Sequence, residues 1–366
     1  MLRALPIAAT LLALVPTPAE AQLSEPREGV SFFDTGPLRI EEQFLLSAGF
    51  LNLAPSSAGI LDRGGWQVDF VQSVTNNWSA STGYKDLLGR RSREPVSLED
   101  LRSVEPEGDR GVFFADGELY RTSLSVRYGL GRRLQLAVTV PLLDFQGGSA
   151  DSVIEGFHDT FGFGQSGRLG TPRDGYLVYL RDEEGRETVR SRDPGLGVGD
   201  VTVGLKWGAP LESDLWLLAV EGVAKLATGD ETDLYSTGSH DVGAQVLVTR
   251  YGERSCIHVG LGAARLGEAE AFGLDSQTRV SGFASYEHAL GRTSSVILQA
   301  QVAESPFQDS RIDDLDEEAY LFDLGVKHAL SSRTIAFVAL TENVVNFGSS
   351  ADVGLHVGLT WTRDGR

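Results

Sequence analysis

A single cysteine, Cys256, stands in 366 residues, so the chain can close no disulfide of its own. Basic residues are also scarce: 32 Lys+Arg face 51 Asp+Glu, a formal net charge of -19. That surplus lacks the clustered cations that neutralise phosphate, and so excludes a nucleic-acid partner. Long apolar runs are missing too. Beyond the amino terminus the longest, Leu215–Val220 and Ile335–Leu340, fall far short of the roughly 18 residues a spanning helix needs. With 41% hydrophobic residues, and Tyr and Phe spread along the chain, a disordered polypeptide is excluded as well.

The amino terminus reads as an export signal. Arg3 supplies a positive start, Ala4–Val15 an apolar stretch, and Ala19-Glu20-Ala21 a small-x-small cleavage pattern, so residues 1–21 are expected to be removed and the mature chain to begin at Gln22. Its apolar core is too short to anchor the chain in a bilayer as a helix of about 20 residues. An exported chain with no further apolar helix is either soluble or crosses a membrane as a closed barrel, the other way to satisfy every backbone hydrogen bond in lipid.

From residue 117 onward the dominant period is two. Tyr120, Thr122, Leu124, Val126 and Tyr128 alternate with Arg121, Ser123, Ser125 and Arg127; Val201, Val203, Leu205 and Trp207 alternate with Asp200, Thr202, Gly204 and Lys206. The pattern recurs at 134–140, 241–250, 255–264, 279–289, 294–302, 320–328 and 353–361, less cleanly at 215–227 and 334–341, and earlier at 66–76. These segments predict about twelve strands of roughly 9–11 residues, the length that crosses a bilayer at barrel tilt. Short links near 129–133, 208–214, 251–254, 290–293 and 330–333 alternate with long polar ones near 79–116, 143–197, 228–240, 265–277, 303–318 and 342–351. Short turns at one end and long loops at the other are the outer-membrane arrangement, with both termini on the periplasmic side. A soluble exported all-β protein would also alternate, but its loops need not sort by end and its strands run shorter.

The fold class is therefore all-β: a transmembrane antiparallel β-barrel over residues 65–366. Residues 22–64 show no periodicity, and a periplasmic tail, an inserted plug and an extra strand pair all remain open for them. Alternation assigns the inward side chains: Arg121, Arg127, Gln135, Asp200, Lys206, Glu221, Lys225, Gln245, His258, Gln299, Gln301, Asp323, Lys327 and His356 face a polar lumen, lining a passage or pairing to fill it.

The 143–197 loop carries a second candidate element. Ser152-Val153-Ile154-Glu155 fits a helix-opening capping box, and Val153, Ile154, Phe157 and Phe161 fall on one face at helical spacing. Such a helix is expected to constrict or cap the lumen, presenting Glu155, His158 and Asp159 to solvent with Arg168 nearby. A shorter helix is expected over Ser97–Val104, opened by Ser97 and Asp100.

Support for catalysis, cofactors or metals is thin. Gly164-Gln165-Ser166-Gly167-Arg168 lacks the last glycine of a nucleophile elbow. No H-E-x-x-H or Cys cluster offers a metal site. The acidic run Asp313–Glu318 lacks EF-hand glycine and spacing, and Gly195–Asp200 leads into a strand, as a phosphate-binding loop would not. An outer-membrane hydrolase assembling a Ser and a His from different strands would use His258 or His288.

The stretch Asp151-Ser152-Val153-Ile154-Glu155-Gly156-Phe157-His158-Asp159 resembles a loop motif in a Gram-negative family of outer-membrane β-barrels recorded as a domain of unknown function. Gly197-Val198-Gly199-Asp200, Lys206-Trp207 and Lys225-Leu226-Ala227-Thr228-Gly229 resemble strand signatures shared more widely by outer-membrane barrels, including transporters associated with aromatic degradation. The chain departs from those relatives in having Ala227 where proline is common, and in following Trp361 with five further residues where an aromatic terminus is common. The resemblance implies architecture and location; it brings no assigned activity. The expected function is a passive channel or small-molecule uptake barrel in the Gram-negative outer membrane, not an enzyme. Its expected partners are membrane lipid and lipopolysaccharide, the barrel-assembly machinery and a small solute. The alternatives are a structural or surface-interaction barrel with a closed lumen, and a lipid hydrolase.

Overall fold

The computed structural model describes residues 32–105, 110–161, 165, 167–213, 215–312, 314–343, 345 and 348–365. The export signal and the first residues of the 22–64 segment lie outside them, as do Asp313 and the side chains of Val153, Phe157, His158 and Phe161.

Alternating apolar and polar residues build β1 (Trp66–Ala80), β2 (Val112–Gly131) and β3 (Leu134–Gln146); three short strands follow, β4 (Leu177–Arg181), β5 (Glu187–Arg190) and β6 (Gly195–Val198). The series continues with β7 (Val201–Gly208), β8 (Trp216–Leu226), β9 (Asp241–Tyr251), β10 (Ser255–Leu266), β11 (Gln277–Ala289), β12 (Ser294–Ala303), β13 (Ala319–Ala329), β14 (Thr334–Asn343) and β15 (Val353–Arg363). The twelve long strands pair antiparallel, each with its neighbour, and β1 closes the ring on β15 from Trp66↔Arg363 to Asn76↔Val353. Closure leaves no unpaired strand edge in the wall.

The outer face is an apolar band that includes exposed Leu205, Val246, Leu261, Leu298, Leu324, Leu340 and Leu355. At the short-turn end, Trp66, Trp207, Trp216 and Trp361 also point outward and are exposed; Trp66 lies against Tyr128 at 4.5 Å between ring centroids, and the Arg250 guanidinium sits 5.5 Å from the Trp216 ring. A ring of aromatics bordering an apolar band matches a membrane interface. No helix of the described residues is long and apolar enough to cross a membrane.

At the long-loop end the strands outrun the alternating segments. The stretch Leu143–Gln146 belongs to β3, and β6 pairs with it, so the 143–197 connection begins and ends as strand. The upper part of β2 pairs with β4, and β4 with β5, forming a flap above the barrel rim. Helices α1 (Thr82–Leu88) and α2 (Leu98–Ser103) pack on this flap through Tyr84, Leu88, Leu101, Phe114 and Tyr179. The Ser97 side chain caps α2 with the reciprocal Asp100 bond that a capping box requires.

Candidate functional site

The lumen is occupied. Residues 32–62, with no strand and only one short turn of 3-10 helix at Phe32–Thr35, run up one wall and down the opposite one. At the short-turn end Phe32 and Phe33 pack on Cys256, Ala289 and Ile335. Leu38 and Ile40 then meet Ile297 and Ala339 of β12 and β14. At the long-loop end Phe44–Leu53 joins an apolar cluster with Phe113, Phe145, Val178, Leu180, Phe272 and Phe307. The return leg sets Ala58 against Ala219, Leu247 and Phe283 before Gly64 N–H donates to Gly129 O at 2.8 Å. Inner-wall glycines leave room for it: a Cβ on Gly262 would lie 2.6 Å from Leu53 Cδ1, and one on Gly325 3.0 Å from Leu38 Cδ1.

A segment without secondary structure must find hydrogen-bond partners for its buried backbone, and the wall supplies them. Lys327 Nζ donates to the carbonyl oxygens of Phe32 and Gly36 and to Glu287 at 2.8 Å. The Gln299 amide donates to Leu38 O at 3.0 Å and to Asp323 at 2.7 Å. Lys225 Nζ donates to Gly49 O at 2.8 Å while touching Asp200 at 2.7 Å and Asp241 at 3.2 Å. Lys206 Nζ reaches Ser56 Oγ at 2.7 Å and Ser57 O at 2.8 Å, with Glu221 at 4.0 Å. The Gln245 amide donates to Ala54 O and to Glu221 at 2.9 Å; Leu51 N–H donates to Asp241, Ala58 N–H to Thr249 and Leu61 N–H to Gln135.

Arg121 and Arg127 also face inward, the first paired with Glu41 of the segment and the second with Asp69 at 2.6 Å. His356 lies between Ser73 Oγ at 2.7 Å and Thr341 Oγ1 at 2.9 Å; His258 lies between Thr249 Oγ1 at 2.9 Å and Cys256 Sγ at 3.4 Å. All ten charged or histidine side chains named above as inward-facing are buried on the inner face. What alternation could not supply is their partner, because the partner is an aperiodic segment far away in sequence.

Among the spaces left between the segment and the wall, two adjoin along β3. A chamber of about 50 Å³ lies at mid-lumen against β3, β7 and β8, lined by Arg39, Glu41, Thr139, Thr202, Gly204 and Glu221 among others. A wider mouth of about 480 Å³ opens at the short-turn end, lined by Gln135, Arg127, Arg132, Arg133 and Leu61. Gln135 of the mouth and Ala137 of the chamber are neighbours on the inner face of β3.

The long-loop helix α3 (Asp151–Phe161) is fastened rather than free. Glu155, expected at a solvated surface, is buried: it accepts from Arg93 at 2.7 Å and from Arg173 Nε at 3.0 Å. Burial alone would raise its pKa, but the hydrogen bonds from Arg93 and then Arg173 outweigh it and hold the carboxyl at about 2. Arg168 is likewise buried, donating to Asn76 at 2.8 Å and Asp151 at 2.9 Å and pairing with Asp352, so it ties α3 to the rims of β1 and β15. Asp159 stays exposed and accepts from Gln165 at 2.9 Å. Ser152 is not the cap: the helix already includes Asp151, and Glu155 turns to the arginines of other segments.

Among the described residues two Ser–His pairs fall within 3 Å: Ser73–His356 in the lumen wall, and Ser294–His328 at 2.8 Å on the outer face. In neither does a carboxylate bond the histidine among the described residues, so neither has the orienting third member of a triad. His288 stacks on Tyr286, with ring centroids 6.3 Å apart. No group of three or more metal-ligating side chains occurs among the described residues.

A comparison with curated proteins finds no match. Among solved structures, the chain is similar to the COG4313 outer membrane channel from Pseudomonas putida F1, with a TM-score of 0.50 and 13% identity over 84% of this chain and 99% of that one. It is also similar, more distantly, to the NanC porin, with a TM-score of 0.42 and 8% identity over 80% and 98% of the two chains. The toluene transporter TodX of Pseudomonas putida gives a TM-score of 0.37 and 9% identity over 90% and 100%. At such identities the first likeness speaks for the fold alone: a closed barrel of the outer-membrane type. The family model described as "Protein of unknown function (DUF3187)" matches residues 108–362, and the chain belongs to that family.

Proposed function

We propose that the chain is an outer-membrane channel for small polar solutes whose width is set by residues 32–62 standing in its lumen. One observation carries this reading. The inner wall spends its Lys, Gln and Thr side chains on the backbone of that segment as well as on one another. A twelve-stranded barrel encloses more space than its own side chains fill, and here the segment takes up that space and leaves the polar chamber and the mouth beside it.

The 143–197 connection is the lid of this arrangement, because its Phe145, Val178 and Leu180 pack on the segment's upper turn. The apolar band and the tryptophan ring seat the barrel in lipid, with the short turns and both termini on the periplasmic side and the long acidic loops among lipopolysaccharide. Delivery there is the work of the barrel-assembly machinery.

Planar-bilayer recording on the full chain tests the reading. Insertion, verified by heat-modifiable gel mobility, is expected to give small stepwise conductances, and Lys206→Gln with Lys225→Gln is expected to enlarge them by loosening the segment. A bilayer that stays insulating with both proteins inserted would sink the channel and leave the closed structural barrel.

A further inference from the structure

In the mid-lumen chamber almost every charged side chain already has a partner. Glu41 is paired with Arg121, Asp200 with Lys225, and Glu221 accepts from Gln245 at 2.9 Å. Arg39, which the N-terminal segment carries into the same chamber, makes no hydrogen bond or ion pair among the described residues. Asp69, Glu221 and Glu41 attract its charge while burial and Arg127 oppose it, and none of these groups lies within ion-pair distance. A guanidinium is a planar fork of five donors that cannot lose its proton, and leaving it unspent in a partly buried site is costly unless water or a ligand takes the donors.

The chamber has the dimensions for such a ligand. About 50 Å³ holds a few waters at roughly 10–15 Å³ each, or one small anion in their place. The wall opposite is made of small residues, Ala137, Thr139, Thr202 and Gly204, and a Cβ built on Gly204 meets nothing closer than 3.6 Å. The mouth adjoining the chamber along β3 carries Arg127, Arg132, Arg133 and Arg363 beside Asp34, Asp62 and Asp364. A carboxylate that reaches the chamber finds in Arg39 a two-pronged donor, a geometry that guanidinium and carboxylate match bidentately.

We propose that Arg39 is the solute-binding group of the lumen and that the chamber between residues 39–54 and the β3–β7–β8 wall is a site for small carboxylates. This rests on the channel reading for its role in permeation, but not for binding itself. The chamber is a way station on the route, and Arg39 decides the sign of what stops there. Because the guanidinium is on the same segment that fills the lumen, the filter and the filler are one piece of chain.

Two measurements on the full-length protein separate this proposal from the channel reading. The first is saturation-transfer NMR on acetate with the detergent-folded protein. Transfer is expected for the native chain, reduced at least several-fold by Arg39→Gln and retained by Arg39→Lys, all three showing the same heat-modifiable mobility. The second is the reversal potential in planar bilayers under a potassium acetate gradient, which is expected to show anion preference that Arg39→Gln removes. Conductance with acetate transfer and selectivity both unchanged in Arg39→Gln overturns the proposal and spares the channel. Acetate transfer that depends on Arg39 in a protein that never conducts leaves the site standing and sinks the channel. Absence of acetate transfer in the native chain overturns the proposal whatever the conductance.

Discussion

Lys327 Nζ lies 2.8 Å from Glu287 Oε2 inside the barrel, with both side chains buried and the carbonyls of Phe32 and Gly36 completing the ammonium's contacts. The pair therefore joins β11 to β13 and both to the start of the lumen segment. Removing one member of a buried pair leaves a charge with no counter-ion, whereas replacing both does not. Glu287→Ala is expected to lower unfolding free energy by about 3–5 kcal/mol, and Glu287→Leu with Lys327→Met by clearly less. Urea titration of the protein folded into lipid vesicles reads both, and equal losses would show that the pair is not what holds this end of the segment.

Leu324 stands on the outward face of β13, paired across to Leu298 and Leu340, and is about half exposed. If that face meets lipid, an arginine there is expected to cost about 2–4 kcal/mol, whereas the same change near the interface costs much less. Leu324→Arg compared with Ser294→Arg, at the short-turn end, in vesicle unfolding experiments checks the depth dependence. A soluble barrel would tolerate both alike.

The loop helix is expected to loosen with acid. Glu155 has a folded pKa of about 2 against an ordinary 4.5. A depressed carboxyl stabilises the fold fully above its ordinary value and loses that contribution as pH falls from about 4.5 towards 2. Hydrogen exchange across residues 151–161, corrected for the intrinsic rate, is expected to speed up over that window, and Glu155→Gln is expected to reproduce the faster exchange at pH 7. Unchanged protection in Glu155→Gln would mean that Arg168, through Asp151 and Asp352, fastens the helix alone.

The wall was legible residue by residue because a strand's side chains alternate and a barrel has only two faces. Tyr120 to Tyr128 suffices to send Arg121 and Arg127 inward, and the same rule places Lys206, Lys225, Asp323 and Lys327 with no knowledge of the tertiary structure. Glu155 is where local reasoning failed. Its capping-box spacing is real, but Arg93 and Arg173 reach it from other parts of the long loops, and hydrogen bonds of that range leave no local trace.

The sequence by itself determined the closed antiparallel barrel, its strand count, the sorting of short and long connections and the polarity of its interior, all of which follow from period-two spacing and chain length. Only the tertiary structure decided what fills that interior. Residues 32–62 have no period to read, and their place is fixed by Lys206, Lys225, Gln299 and Lys327, side chains more than a hundred residues away that satisfy a backbone unable to satisfy itself. The guanidinium of Arg39, unpaired among the described residues, is a product of the same fact: a charge becomes noticeable as unpaired only once its surroundings are known.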